Sequence, residues 1–166
     1  MKNSIEQDEF ENFLFYIDDY LEEFIYETDS LGYSLNFSIE SLEILEKYVM
    51  DQNITNEVYD DEKRFKCWVY LGELFRKLAK ESYWTISNNS DNSANLGLYV
   101  LTGYDDIGVE FVPIRYIRAF IINKKKGFFK DLINSHIAPM PLDLNKFPTE
   151  EDPKPDKPRG GWSVFD

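Results

Sequence analysis

The side chains with chemistry to offer are few and widely spaced. His136 is the one histidine and Cys67 the one cysteine, so histidine-assisted nucleophilic catalysis would have to run through His136. That residue falls in a short helical stretch with no serine or cysteine assignable to it, where an imidazole complements the negative end of the helix dipole. Cys67 stands beside Trp68 in an apolar-periodic run. With no second cysteine, an intrachain disulfide and a zinc knuckle are excluded, and a buried structural thiol in a reducing compartment is expected. The acid pairs Asp18-Asp19, Glu22-Glu23 and Asp105-Asp106 are the hard oxygen donors that divalent cations take. None has calcium-loop spacing, though a cation-dependent enzyme is the reading they would serve. Nothing selects two carboxylates for glycoside hydrolysis. Gly97, Gly103 and Gly108 do not open a helix in a phosphate-binding fingerprint. Lys124-Lys125-Lys126 reads as an exposed turn. No catalytic residue, metal or cofactor is expected, and the chemistry left is recognition.

Charge says where recognition belongs. The 166 residues carry 31 acids against 18 bases, a net charge of -13, with a pI near 4.5. Residues 1–62 hold 18 acids and two bases, Lys2 and Lys47, which leaves -16. The remaining 104 hold 13 acids and 16 bases, which leaves +3. So acidic a chain does not bind nucleic acid autonomously, because cations must neutralise phosphates. With aromatics at 16% it is not a disordered acidic chain either. A field concentrated at the N-terminal end speeds encounter with a basic partner. Tyrosines interleaved with the acids add contact area and a polar tip. The expected partner-binding residues are therefore Tyr16, Asp18, Asp19, Glu22, Glu23 and Tyr26, with Tyr104, Asp105 and Asp106 from a turn as the second group.

The elements that must position these residues follow from periodicity. Phe10, Phe13, Leu14, Ile17, Tyr20, Leu21, Phe24 and Ile25 recur at helical spacing and predict a helix over about Ser4 to Thr28, broken by Leu31-Gly32-Tyr33. A second helix is expected from near Ser38, whose hydroxyl can cap it, to before Asp51-Gln52-Asn53. A third runs about Asp61 to Glu81 on Phe65, Trp68, Leu71, Leu74, Phe75 and Leu78. Gly72 at its centre costs about 1 kcal/mol against alanine and predicts close approach of another element's backbone. Three short strands follow: Tyr83–Ser87, Leu96–Leu101, and one around Val109 and Phe111 that Pro113 stops. Their short connections favour an antiparallel meander. A helix opening at Pro113, an interruption at 123–127 and a helix over Phe128–His136 close an α+β domain of residues 1–138. Residues 139–166 contain six of the seven prolines and read as an extended Pro-rich tail. The acidic opening residues do not read as a secretory leader. The longest strictly apolar run, Ala119 to Ile122, is far short of the roughly 20 residues that span a bilayer. A cytoplasmic location is expected.

Residues 65–122 also resemble small bacterial proteins, including uncharacterised families and immunity proteins of polymorphic-toxin and contact-dependent inhibition systems. The resemblance is carried by Trp68-Val69-Tyr70-Leu71-Gly72-Glu73-Leu74-Phe75-Arg76-Lys77, by Trp84, and by Phe111-Val112-Pro113 leading into Arg115 and Arg118. It implies an α+β architecture with a glycine-bearing helix packed on a three-stranded sheet. It transfers no functional residue, because such proteins bind their toxins through variable surfaces. Together these features lead to the expectation of a protein-binding inhibitor, an immunity protein that neutralises a basic toxin domain such as a nuclease. The alternative is an adaptor that joins partners through its acidic helices and Pro-rich tail.

Overall fold

Large apolar side chains repeating every 3.6 residues leave the N-terminal segment one way to shed them from water, and it forms α1, Lys2–Ser30. The computed structural model describes residues 2–88 and 93–137, with only the backbone described for 2–4. It divides into two units, Met1–Leu132 and Ile133–Asp166, the second described only over 133–137. The stretch expected as a Pro-rich tail, 139–166, lies outside the described residues. The elements are α1, α2 (Ser41–Asp51), α3 (Asp61–Leu78), β1 (Tyr83–Ile86), β2 (Tyr99–Thr102), α4 (Pro113–Asn123) and α5 (Phe128–Ile137), with short 3-10 turns at Val58–Asp60 and Ser93–Asn95. The fold is α+β.

Helix ends follow the local chemistry of the sequence. After α1, Gly32 takes a left-handed φ of 94°. Its N–H donates to the Asp29 carbonyl and that of Tyr33 to the Thr28 carbonyl, the paired bonds of a Schellman stop. Asn53 repeats the device after α2, at φ 55°, with bonds from Asn53 N to Met50 O and from Ile54 N to Val49 O. The Ser38 hydroxyl accepts the Ser41 N–H at 3.2 Å, but α2 starts three residues later than expected, with Glu40 and not Ser38 at its N-cap and no side-chain capping bond there. In α3, Asp61 and Glu62 occupy the first turn and Arg76 and Lys77 the last, the arrangement that suits the helix dipole.

The interior is built largely from rings. Phe13 lies at the meeting of α1, α3 and both strands, with ring centroids 5.8 Å from Trp68, 5.1 Å from Trp84 and 4.9 Å from Tyr99. Phe75 and Phe111 stack at 3.9 Å and 6°. Burying each such side chain contributes about 1.5–3 kcal/mol. Gly72 does mark a close approach, but by a side chain and not by backbone. The Trp84 indole lies where a Cβ would be, and the Pro113 ring is 3.1 Å from that position. Trp84 is locked there by its Nε1–H, which donates to the buried Glu73 carboxylate at 2.7 Å.

Among the described residues the sheet has two antiparallel strands, with Trp84 opposite Leu101 and Thr85 opposite Val100. The expected third strand shrinks to one bridge pair, in which Leu101 and Phe111 exchange N–H···O bonds of 2.9 and 2.8 Å. Two causes shorten it. The Thr102 hydroxyl, and not a ladder amide, donates to the Val109 carbonyl, and α4 begins at Pro113, only two residues beyond Phe111.

Candidate functional site

Along α1 the faces separate cleanly. Phe10, Phe13, Leu21, Phe24 and Thr28 are buried. Opposite them, Phe15, Asp19, Glu22 and Tyr26 follow one another at i, i+4, i+7 and i+11, which places them in one axial stripe. All four are exposed. Phe15 and Tyr26 are each 77% exposed, far beyond what a helix with a single core face requires. The stripe ends are about 16 Å apart at 1.5 Å rise per residue.

The exposed aromatics at one end are organised by contacts leading inward. The Phe15 and Tyr16 rings meet edge-on at 4.9 Å, Tyr16 lies 6.4 Å from Tyr20, and Tyr20 meets Phe65 at 4.9 Å. Phe65 in turn packs on Trp68. Tyr16 is thus the outermost core-supported ring, with Phe15 resting against it.

The predicted acids divide by what neutralises them. Lys66 of α3 pairs with Glu27 at 3.1 Å, Glu23 at 3.5 Å and Glu62 at 3.8 Å. Glu23 is therefore partly committed within the molecule. Arg76 is held charged chiefly by its hydrogen bond to Glu73, with a weaker electrostatic contribution from Asp18. Among the described residues neither Asp19 nor Glu22 is in an ion pair. Asp18, Asp19 and Glu22 are thus the predicted α1 acids outside any ion pair among the described residues, and Asp19 and Glu22 are the two flanked by Phe15 and Tyr26.

The second predicted group sits in the turn after β2. Tyr104 packs edge-on against Phe75 at 4.9 Å, and burial pushes its phenol pKa well above the usual value. The Asp105 carboxylate accepts the N–H groups of Ile107, Gly108 and Val109, so it holds the turn together. Asp106 is exposed, and beside it Ile107 is 82% exposed. The turn packs on α3 through Tyr104 and Phe75, whereas Glu23 of α1 pairs with Lys66 at 3.5 Å.

Sequence reasoning left Phe15 out of the predicted set, although its position two residues after Phe13 puts it off the core stripe. It also missed a polar cluster between the strands and α4. Glu110 accepts the Ser87 hydroxyl at 2.8 Å and Asn95 Nδ2 at 2.9 Å, and Asn95 Oδ1 accepts from Arg115 at 2.8 Å. Ser87 is 3% exposed, so this cluster fastens the inter-strand loop to α4 and gives a substrate no access to the hydroxyl. Cys67 is fully buried, and burial pushes its thiol pKa up to about 12, which suits the expected structural role. His136 is in the last turn of α5, with Nδ1 3.4 Å from the Ser135 hydroxyl.

A shallow depression of about 380 Å³ is lined by Leu31, Gly32, Tyr33, Ser34, Ile44, Lys47 and Asp51. Tyr33 and Lys47 both donate to Asp51 at 2.8 Å, so its polar groups satisfy one another. Among the described residues, no three His, Cys, Asp or Glu side chains come together as a metal site. No helix there is long and apolar enough to cross a membrane. No protein-family model, curated protein or solved structure matches the chain.

Proposed function

We propose that this chain is a protein-binding inhibitor, an immunity protein that neutralises a basic bacterial toxin domain, with a nuclease as the leading class. It works in the cytoplasm without a cofactor. The observation that carries the reading is the outer stripe of α1, where two aromatic side chains, each 77% exposed, bracket two acids outside any ion pair among the described residues. Desolvated aromatics supply the tight contacts of an interface, and the acids supply steering and charge complementarity to a surface built for phosphates.

The test is binding to basic bacterial toxin domains, nuclease domains first, measured by calorimetry across a salt series. Wild-type affinity is expected to fall as salt rises, and Asp19→Lys with Glu22→Lys to weaken it by about tenfold or more. Affinity that ignores both salt and charge reversal would overturn the electrostatic mechanism. The adaptor reading joins different partners through the acidic helices and the Pro-rich stretch 139–166, which holds six of the seven prolines. Removal of residues 148–166 separates the two readings. An adaptor loses a partner, whereas an inhibitor acting through α1 keeps its toxin.

A further inference from the structure

Given the reading of α1 as the partner-binding face, we infer that this face takes one basic α-helix of the partner, packed lengthwise along α1. Phe15, Asp19, Glu22 and Tyr26 are spaced 4-3-4, the recurrence by which one helix presents a continuous seam to another crossing it at a shallow angle. The seam is straight and narrow. On one side of it Glu23 is drawn to Lys66 at 3.5 Å, and the exposed rings of Phe15 and Tyr26 mark its two ends. A complementary surface must therefore match a line about 16 Å long, with apolar positions at its ends and cations between. A helix whose own 4-3-4 seam reads apolar, cationic, cationic, apolar does so in register. An extended segment, repeating every two residues over a longer rise, does not. Charge fixes the sign of the occupant: residues 1–62 carry 18 acids against two bases.

The probe is a synthetic three-heptad peptide with leucines at the seam ends, lysines and arginines between them and alanines elsewhere. It is titrated into the full-length protein and followed by fluorescence anisotropy. Two controls have the same composition, one scrambled and one broken by a central proline. Micromolar binding of the helical peptide is expected, at least about tenfold tighter than either control. Phe15→Ala and Tyr26→Ala should each weaken it by about tenfold, the effect of removing an aromatic anchor. Both side chains are exposed, so these variants keep their fold, and far-ultraviolet circular dichroism checks this. Equal binding of the proline-broken or scrambled peptide, or none of the helical one, overturns the inference. Toxin inhibition is scored separately: a failed peptide with intact inhibition removes the helix partner alone, and a bound peptide with no inhibition removes the toxin reading alone.

Discussion

Phe13 and Phe15 stand two residues apart on the same helix and meet opposite surroundings. Phe13 is 4% exposed among Trp68, Trp84 and Tyr99, whereas Phe15 is 77% exposed beside an exposed tyrosine. Identical side chains thus serve as core and as surface, separated by the roughly 200° that two helical residues turn. The difference teaches that aromatic content in this chain is not one quantity. The inward rings hold α1 to α3 and the sheet, whereas the Phe15 ring reaches α3 only through Tyr16 and Tyr20.

Substitutions can break this comparison or sharpen it. The largest effect is expected for Phe13→Ala, a loss of about 3–5 kcal/mol in urea unfolding, because it opens a cavity where α1, α3 and both strands meet. A cost below 1 kcal/mol would show that the ring cluster is not the joint described. Gly72→Ala should cost about 1–3 kcal/mol, since its methyl must displace the Trp84 indole. Near-ultraviolet circular dichroism and tryptophan fluorescence should report the displaced ring, and unchanged spectra would count against the contact.

Next comes a pH effect. Glu46, buried on α2, accepts the N–H groups of Gly127 at 2.9 Å and Phe129 at 3.0 Å. Burial raises its pKa despite those two bonds. A carboxyl whose folded pKa lies above its unfolded value binds more protons folded, so its contribution worsens as pH rises through that interval and improves on acidification. Relative to Glu46→Gln, wild type should therefore gain stability between pH 7 and pH 5, measured by paired melts. A difference that grows in the other direction would reverse the assignment. The smallest stability change belongs to Phe15→Ala and Tyr26→Ala, each within about 0.5 kcal/mol of wild type. A larger loss would make these rings structural and remove the contrast with Phe13.

Particular elements show how far the sequence reaches. The helix stops at Gly32 and Asn53 are legible because few residues accept a left-handed φ, and both stand where the apolar period ends. Proline at the start of α4 is legible for the complementary reason, its missing N–H. The third strand was not, because its length depends on the Thr102 hydroxyl reaching the Val109 carbonyl across space. Gly72 signalled a close approach, but that an indole and not a backbone arrives there depends on a residue twelve positions later. Among the candidate partner residues, the exposed acids of α1 were readable from helical phase. The parts played by Asp105 and Glu23 were not, since one is set by a turn and the other by Lys66 from another helix.

By itself, the order of residues determined which segments are helical, which face of α1 is apolar, and that the acidic charge lies in residues 1–62. Those properties depend on spacing along the chain and on composition, which folding does not alter. The tertiary structure alone decided which charges remain available. Bringing α3 beside α1 places Lys66 against Glu23 and Glu27 and Arg76 within the field of Asp18, and it leaves Asp19 and Glu22 outward between two exposed rings. Electrostatic neutralisation falls with distance in space, and sequence separation does not measure that distance.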